Sequence, residues 1–110
     1  MVKKLSNTEV EAGLASLPGW GRDREMLYRA FEFADFSRAF GFMAAIAVRA
    51  EAMNHHPEWF NVYATVKVWL TTHDVGGVSA RDLALAQLMN ELYDGAEPPA
   101  RNAPDLGSME

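Results

Sequence analysis

The stretch Pro57-Glu58-Trp59-Phe60-Asn61-Val62-Tyr63-Ala64-Thr65-Val66-Lys67-Val68-Trp69-Leu70-Thr71-Thr72 decides the fold class. From Thr65 to Thr72, Val66, Val68 and Leu70 alternate with Lys67, Trp69 and Thr71. A period of two puts the aliphatic residues on one side of a strand. Trp59 to Tyr63, rich in aromatic and β-branched residues, reads as another strand. Pro57 forbids a helix from running into this region, and His56 before it is biased towards extended backbone.

Upstream, the pattern changes to a helical one. Asp35 is a suitable N-cap, and Phe36, Phe40, Met43, Ala47 and Ala50 mark the apolar side of a helix running to about Met53. Before it, Leu27, Arg29, Phe31 and Phe33 fall on one face of a strand, with Met26, Tyr28, Ala30 and Glu32 on the other. Trp20 to Asp23 reads as a short strand, and Arg24-Glu25 turns it back. Nearest the N-terminus, Ser6-Asn7-Thr8-Glu9 is a capping box, followed by Val10, Leu14 and Leu17 at helical spacing. Pro18-Gly19 is expected to end that helix.

Downstream, Gly76-Gly77 makes a loop. Ser79-Ala80-Arg81-Asp82 resembles a second capping box with Asp in place of Glu. The last helix follows, with Leu83, Ala86, Leu88, Met89 and Leu92 as its apolar residues and Asp94-Gly95 as its end. The expected order is α-β-β-α-β-β-α. This is an α+β domain over residues 1–95, with a four-stranded, mostly antiparallel sheet and helices on one face. Residues 96–110 carry Pro98, Pro99 and Pro104 and no apolar period, and are expected to form a flexible tail.

The chain has 110 residues, 49% of them hydrophobic, which fits one soluble domain with one core. A domain this small has a poor surface-to-volume ratio, and its sheet needs cover at an edge or second face. Both points favour a homo-oligomer. The absence of cysteine excludes disulfides, thiolate catalysis and Cys-ligated zinc. The net charge of −5 lacks the basic footprint of direct nucleic-acid binding. No apolar run approaches a membrane span, and no apolar segment follows Lys3-Lys4, so a cytoplasmic protein is expected.

Histidine exchanges protons near neutral pH, and His55, His56 and His73 all sit where elements end. Position alone leaves each of them more readily a solvated loop residue or a cap. Glu51 precedes His55 by four residues, so the two share a face if the helix extends that far. Asp82 suits the positive end of the last helix as well as a site. Adjacent histidines on extended backbone point to opposite sides, and no HExxH pattern occurs, so no metal site is assigned. No Gly-x-Ser-x-Gly elbow or phosphate loop is present. Trp59, Phe60, Tyr63 and Trp69 have the chemistry to stack on a flat heterocycle, although aromatics at strand spacing usually fill cores.

Taken together, Glu51-Ala52-Met53-Asn54-His55-His56-Pro57-Glu58-Trp59-Phe60-Asn61-Val62-Tyr63, His73-Asp74 and Asp82 strongly resemble the signature of the pterin-4a-carbinolamine dehydratases. Phe31-Glu32-Phe33-Ala34-Asp35-Phe36 and Ala39-Phe40-Gly41-Phe42-Met43 extend the likeness, which runs from about Leu5 to Tyr93. The resemblance implies an enzyme that removes water from 4a-hydroxytetrahydropterin to give quinonoid dihydropterin. This recycles the pterin cofactor of aromatic amino acid hydroxylases. It implies a dimer or tetramer of the same fold, with pterin as substrate and no metal or organic cofactor. By the same resemblance, His55, His56 and His73 are the catalytic residues, His55 and His73 as the general acid/base pair and His56 helping to hold the pterin. Asn54, Thr71, Thr72 and Asp74 would line the pocket with the histidines, and Glu51 and Asp82 would orient or tune them. Two alternatives accompany the family. Some animal members are dimerisation cofactors of a homeodomain transcription factor, and a related dehydration in molybdopterin metabolism would use the same histidines.

Overall fold

The computed structural model describes residues 2–96. The expectation for the tail therefore lies outside the described residues from position 97 onward. The elements are α1 (Asn7–Leu14), β1 (Gly21–Asp23), β2 (Met26–Glu32), α2 (Phe36–Met53), β3 (Glu58–Val62), β4 (Thr65–Leu70), a short 3-10 turn (His73–Val75) and α3 (Ala80–Ala96). The four strands form one antiparallel sheet in the order β1-β2-β4-β3. α2 carries the chain from β2 to the far edge, and β4 then returns between β2 and β3.

Register places Leu27 opposite Leu70 and Phe31 opposite Val66. These residues and Val68 are fully buried against Val10, Ala39, Ile46, Leu85, Ala86 and Met89 of the helices. The other face presents Ala30, Glu32, Phe60 and Val62 to solvent, so the helices cover one face, as the alternation in β2 and β4 predicts. Phe31 is the centre of an aromatic cluster, 4.8 Å from the Phe42 ring and 5.0 Å from the Tyr93 ring. No helix among the described residues is long and apolar enough to cross a membrane.

Four local expectations are corrected. α1 stops at Leu14, before the expected Pro18-Gly19, and Leu17 reaches the core from the following turn. α3 continues through Asp94-Gly95 to Ala96. Its buried set includes Leu85 and the polar Asn90. Asn90 Oδ1 accepts from Trp20 Nε1 at 2.8 Å and from Arg29 Nη1 at 2.6 Å, which fastens α3 to the start of the sheet. α2 turns Ala39, Phe42, Ile46 and Ala50 inward, leaving Phe36 and Phe40 48% and 55% exposed. Large apolar residues lie on the exposed side as well as the buried one, so periodicity alone does not tell which side meets the sheet.

Candidate active site

The end of α2 places the histidine pair. Asn54 adopts the left-handed conformation (φ 53°), and the His55 N–H returns to the Ala50 carbonyl at 3.0 Å. This six-to-one closure ends the helix and reverses the chain, with Pro57 preventing any resumption. As a result, His55 turns inward and is buried, while His56 stays exposed.

Glu51 and His55, which would share a face on a longer helix, do not pair. The left-handed residue at 54 breaks the four-residue helical spacing, and Glu51 Oε1 meets His56 Nε2 instead, at 2.8 Å. His55 Nε2 bonds Asp82 Oδ1 at 2.6 Å. Asp82 lies in the first turn of α3, fully buried, where the helix leaves amides without intrahelical partners. Its Oδ2 accepts from Thr72 Oγ1 at 2.7 Å and from the Ser79 N–H at 2.9 Å. The second bond is the reaching-back arm of a capping box. The other arm differs, because Ser79 Oγ accepts from the Arg81 N–H rather than from residue 82.

His73 opens the 3-10 turn that follows β4. Its side chain is 81% exposed, and Nε2 lies 3.1 Å from Glu58 Oε2 on the neighbouring strand β3. Each imidazole thus has its own carboxylate: Asp82 behind His55, Glu51 beside His56 and Glu58 beside His73. Among the described residues, no three His, Cys, Asp or Glu side chains are grouped so as to hold a metal ion.

The three histidines share a cavity of about 290 Å³, lined also by Asn54, Thr71, Thr72, Asp74 and Arg81. A second hollow, of about 310 Å³, lies between α2 and α3 among Phe33, Phe42, Leu92 and Tyr93. The Tyr93 hydroxyl there donates to the Glu32 carbonyl, and no imidazole or carboxylate lines the space. Acid–base chemistry therefore points to the histidine cavity, despite its slightly smaller volume.

The sequence profile of the pterin 4 alpha carbinolamine dehydratase family matches residues 3–92. The chain belongs to this family of dehydratases. A protein of Rhodopseudomonas palustris (strain BisB18) that bears the pterin-4-alpha-carbinolamine dehydratase name is 55% identical over 100 residues, covering 89% of this chain and 99% of that protein. One from Burkholderia ambifaria (strain MC40-6) with the same name is 47% identical, covering 91% of this chain and all (100%) of its own length. The crystal structure of a transcriptional coactivator/pterin dehydratase from Brucella melitensis superposes with a TM-score of 0.81 at 44% identity, covering 83% of this chain and 99% of that one.

In this member of the pterin carbinolamine dehydratase family, two cavity neighbours escaped the sequence reading. Arg81 read only as a spacer within a cap, yet it lines the cavity. Glu58 was a motif residue without a role. The antiparallel pairing of Glu58 with Trp69 is what brings it near the chain leaving β4 towards His73. The aromatic residues Trp59, Phe60, Tyr63 and Trp69 do not line the cavity. Phe60 and Tyr63 are exposed, and the Trp69 indole lies against Tyr28 on the open face of the sheet.

Proposed function

We propose that the chain is a cytoplasmic 4a-hydroxytetrahydrobiopterin dehydratase that recycles the pterin cofactor of aromatic amino acid hydroxylases. The single observation that carries this reading is the convergence of His55, His56 and His73, each with its own carboxylate, on one cavity. In the reaction the C4a–O bond breaks and the departing oxygen takes its electron pair and a proton, leaving as water. The proton on N5 departs to a base, and the N–H electron pair becomes the C4a=N5 double bond. One acid and one base suffice, and imidazole serves either role near neutral pH. His55 and His73 act as that pair. The exposed His56 holds the pterin, with Asn54, Thr71, Thr72 and Asp74 around it. Neither metal nor organic cofactor is needed.

The test is to generate a 4a-hydroxytetrahydropterin and follow its dehydration. Acceleration over the spontaneous reaction is expected, retained after chelation and lost in His55→Ala and His73→Ala. A rate equal to the spontaneous one in the native protein overturns the reading.

We also propose a homodimer or homotetramer without direct nucleic-acid or membrane partners. The uncovered face of α2 supports self-association, because Phe36 and Phe40 lie together, 5.8 Å between ring centroids, outside the core. Light scattering at micromolar concentration checks it, and a monomer contradicts it. The coactivator function in the description of the Brucella melitensis relative favours a second reading, a dimerisation cofactor for a transcription factor. Partner affinity that survives both histidine substitutions would support that reading.

A further inference from the structure

Behind His55 runs a buried chain of polar atoms whose donors can be assigned by counting protons. As a carboxylate, Asp82 only accepts. Thr72 Oγ1, 2.7 Å from Asp82 Oδ2, therefore gives its single proton to Asp82. The same Thr72 oxygen lies 2.7 Å from Ser79 Oγ, so Thr72 accepts there and Ser79 donates. Ser79 Oγ accepts in turn from the Arg81 N–H at 3.2 Å, and the Ser79 N–H adds a second bond to Oδ2 at 2.9 Å. Oδ1 is left for His55 Nε2 at 2.6 Å. Thr72 is 3% exposed and Ser79 and Asp82 are fully buried, so water does not compete for these sites. The imidazole then has one neutral form compatible with every bond: Nε2 carries the proton, and the lone pair of Nδ1 is left without a partner among the described residues.

We propose that Ser79, acting through Thr72 and Asp82, is a positioning residue that fixes the His55 ring so that Nδ1 exchanges the proton with substrate. Thr72 belongs to the same device. Its hydroxyl serves Asp82 rather than the pterin. The kinetic part of this proposal rests on the dehydratase reading, and the tautomer does not.

Two measurements test it. Long-range nitrogen–proton NMR on the full chain labelled at histidine nitrogen reports the neutral ring directly, and Nε2–H is expected for His55. Nδ1–H there overturns the proposal whether or not the protein is a dehydratase. In the dehydration assay, Ser79→Ala and Thr72→Val are expected to lower kcat about tenfold with KM within about twofold, the size expected from weakening one charge-assisted hydrogen bond. Thr72→Ser recovers most of the rate. Folded Ser79→Ala and Thr72→Val variants with the native kcat overturn the proposal. If Thr72→Val fails to fold, Ser79→Ala decides alone. If the native protein does not accelerate dehydration, the dehydratase reading falls, and the NMR result still decides the ring's geometry.

Discussion

Replacing Asp82 by Asn tests the buried support of His55 most severely. The side chain keeps its shape, and its oxygen is best used where Thr72 Oγ1 and the Ser79 N–H both donate. That choice turns the amide nitrogen towards His55 Nε2, now 2.6 Å from a carboxylate oxygen. The amide can only donate, so the ring must present a lone pair at Nε2 and carry its proton on Nδ1. Exchanging three charge-assisted bonds for neutral ones loses about 3 kcal/mol, at about 1 kcal/mol each. Relief from burying a charge returns part of this. A net destabilisation of about 2 kcal/mol corresponds to a melting temperature lower by about 8–16 °C for a domain of this size. On the proposed mechanism the effect on activity is larger, because the wrong tautomer withdraws the Nδ1 lone pair from the substrate. The analogous Asp→Asn change in a serine-protease triad costs roughly 10⁴-fold in kcat, and a loss of roughly 10³–10⁴ is expected here. Thermal unfolding by circular dichroism and the dehydration assay measure the two effects. A folded Asp82→Asn variant with kcat within about threefold of native would refute the reasoning.

Three further expectations concern the scaffold. Phe31→Ala removes a fully buried ring packed on Phe42 and Tyr93, and should cost about 3–5 kcal/mol in urea unfolding; a loss under about 1 kcal/mol would contradict its central place in the core. Arg24 and Glu25 form the two-residue turn between β1 and β2 with φ of 52° and 68°, so Glu25→Gly should stabilise by about 0.5–1 kcal/mol, and a lower melting temperature would count against that strain. The Trp69 indole N–H donates to Asp23 at 2.8 Å and, helped by Arg24, holds the Asp23 carboxyl below its ordinary value. Its stabilising contribution is therefore present above the unfolded value and is lost as pH falls through the folded one. An NMR titration should show the Asp23 midpoint rising in Trp69→Phe, and an unmoved midpoint would exclude that cause.

The sheet was legible because β2 and β4 are each buried on one face only, so Leu27 and Phe31, then Val66, Val68 and Leu70, recur at a period of two. The inward face of α2 was not. With Phe36, Phe40, Phe42, Met43, Ile46 and Val48 on one helix, large apolar residues lie on both the buried and the exposed side. Packing against β4 and α3 chose Ala39, Phe42, Ile46 and Ala50. In α3, Asn90 sits inside because it accepts from Trp20 and Arg29, two donors far away in sequence. The polar positions of the site were visible through the likeness of Glu51, His55, His56, His73 and Asp82 to a family signature. Their pairing was not. A left-handed Asn54 re-routes Glu51 to His56, and the contacts of Asp82 with His55 and of Glu58 with His73 span 27 and 15 residues.

On the proposed function, pterin lies among the three histidines rather than in the aromatic hollow between α2 and α3. A tetrahydropterin without the 4a-hydroxyl is stable to the reaction and can be titrated into labelled protein while backbone amide and histidine resonances are followed. Saturable shifts concentrated at Asn54, His55, His56, Thr71 to Asp74 and Arg81 are predicted. Shifts confined to Phe33, Phe42, Leu92 and Tyr93, with the histidines unmoved, would contradict that placement.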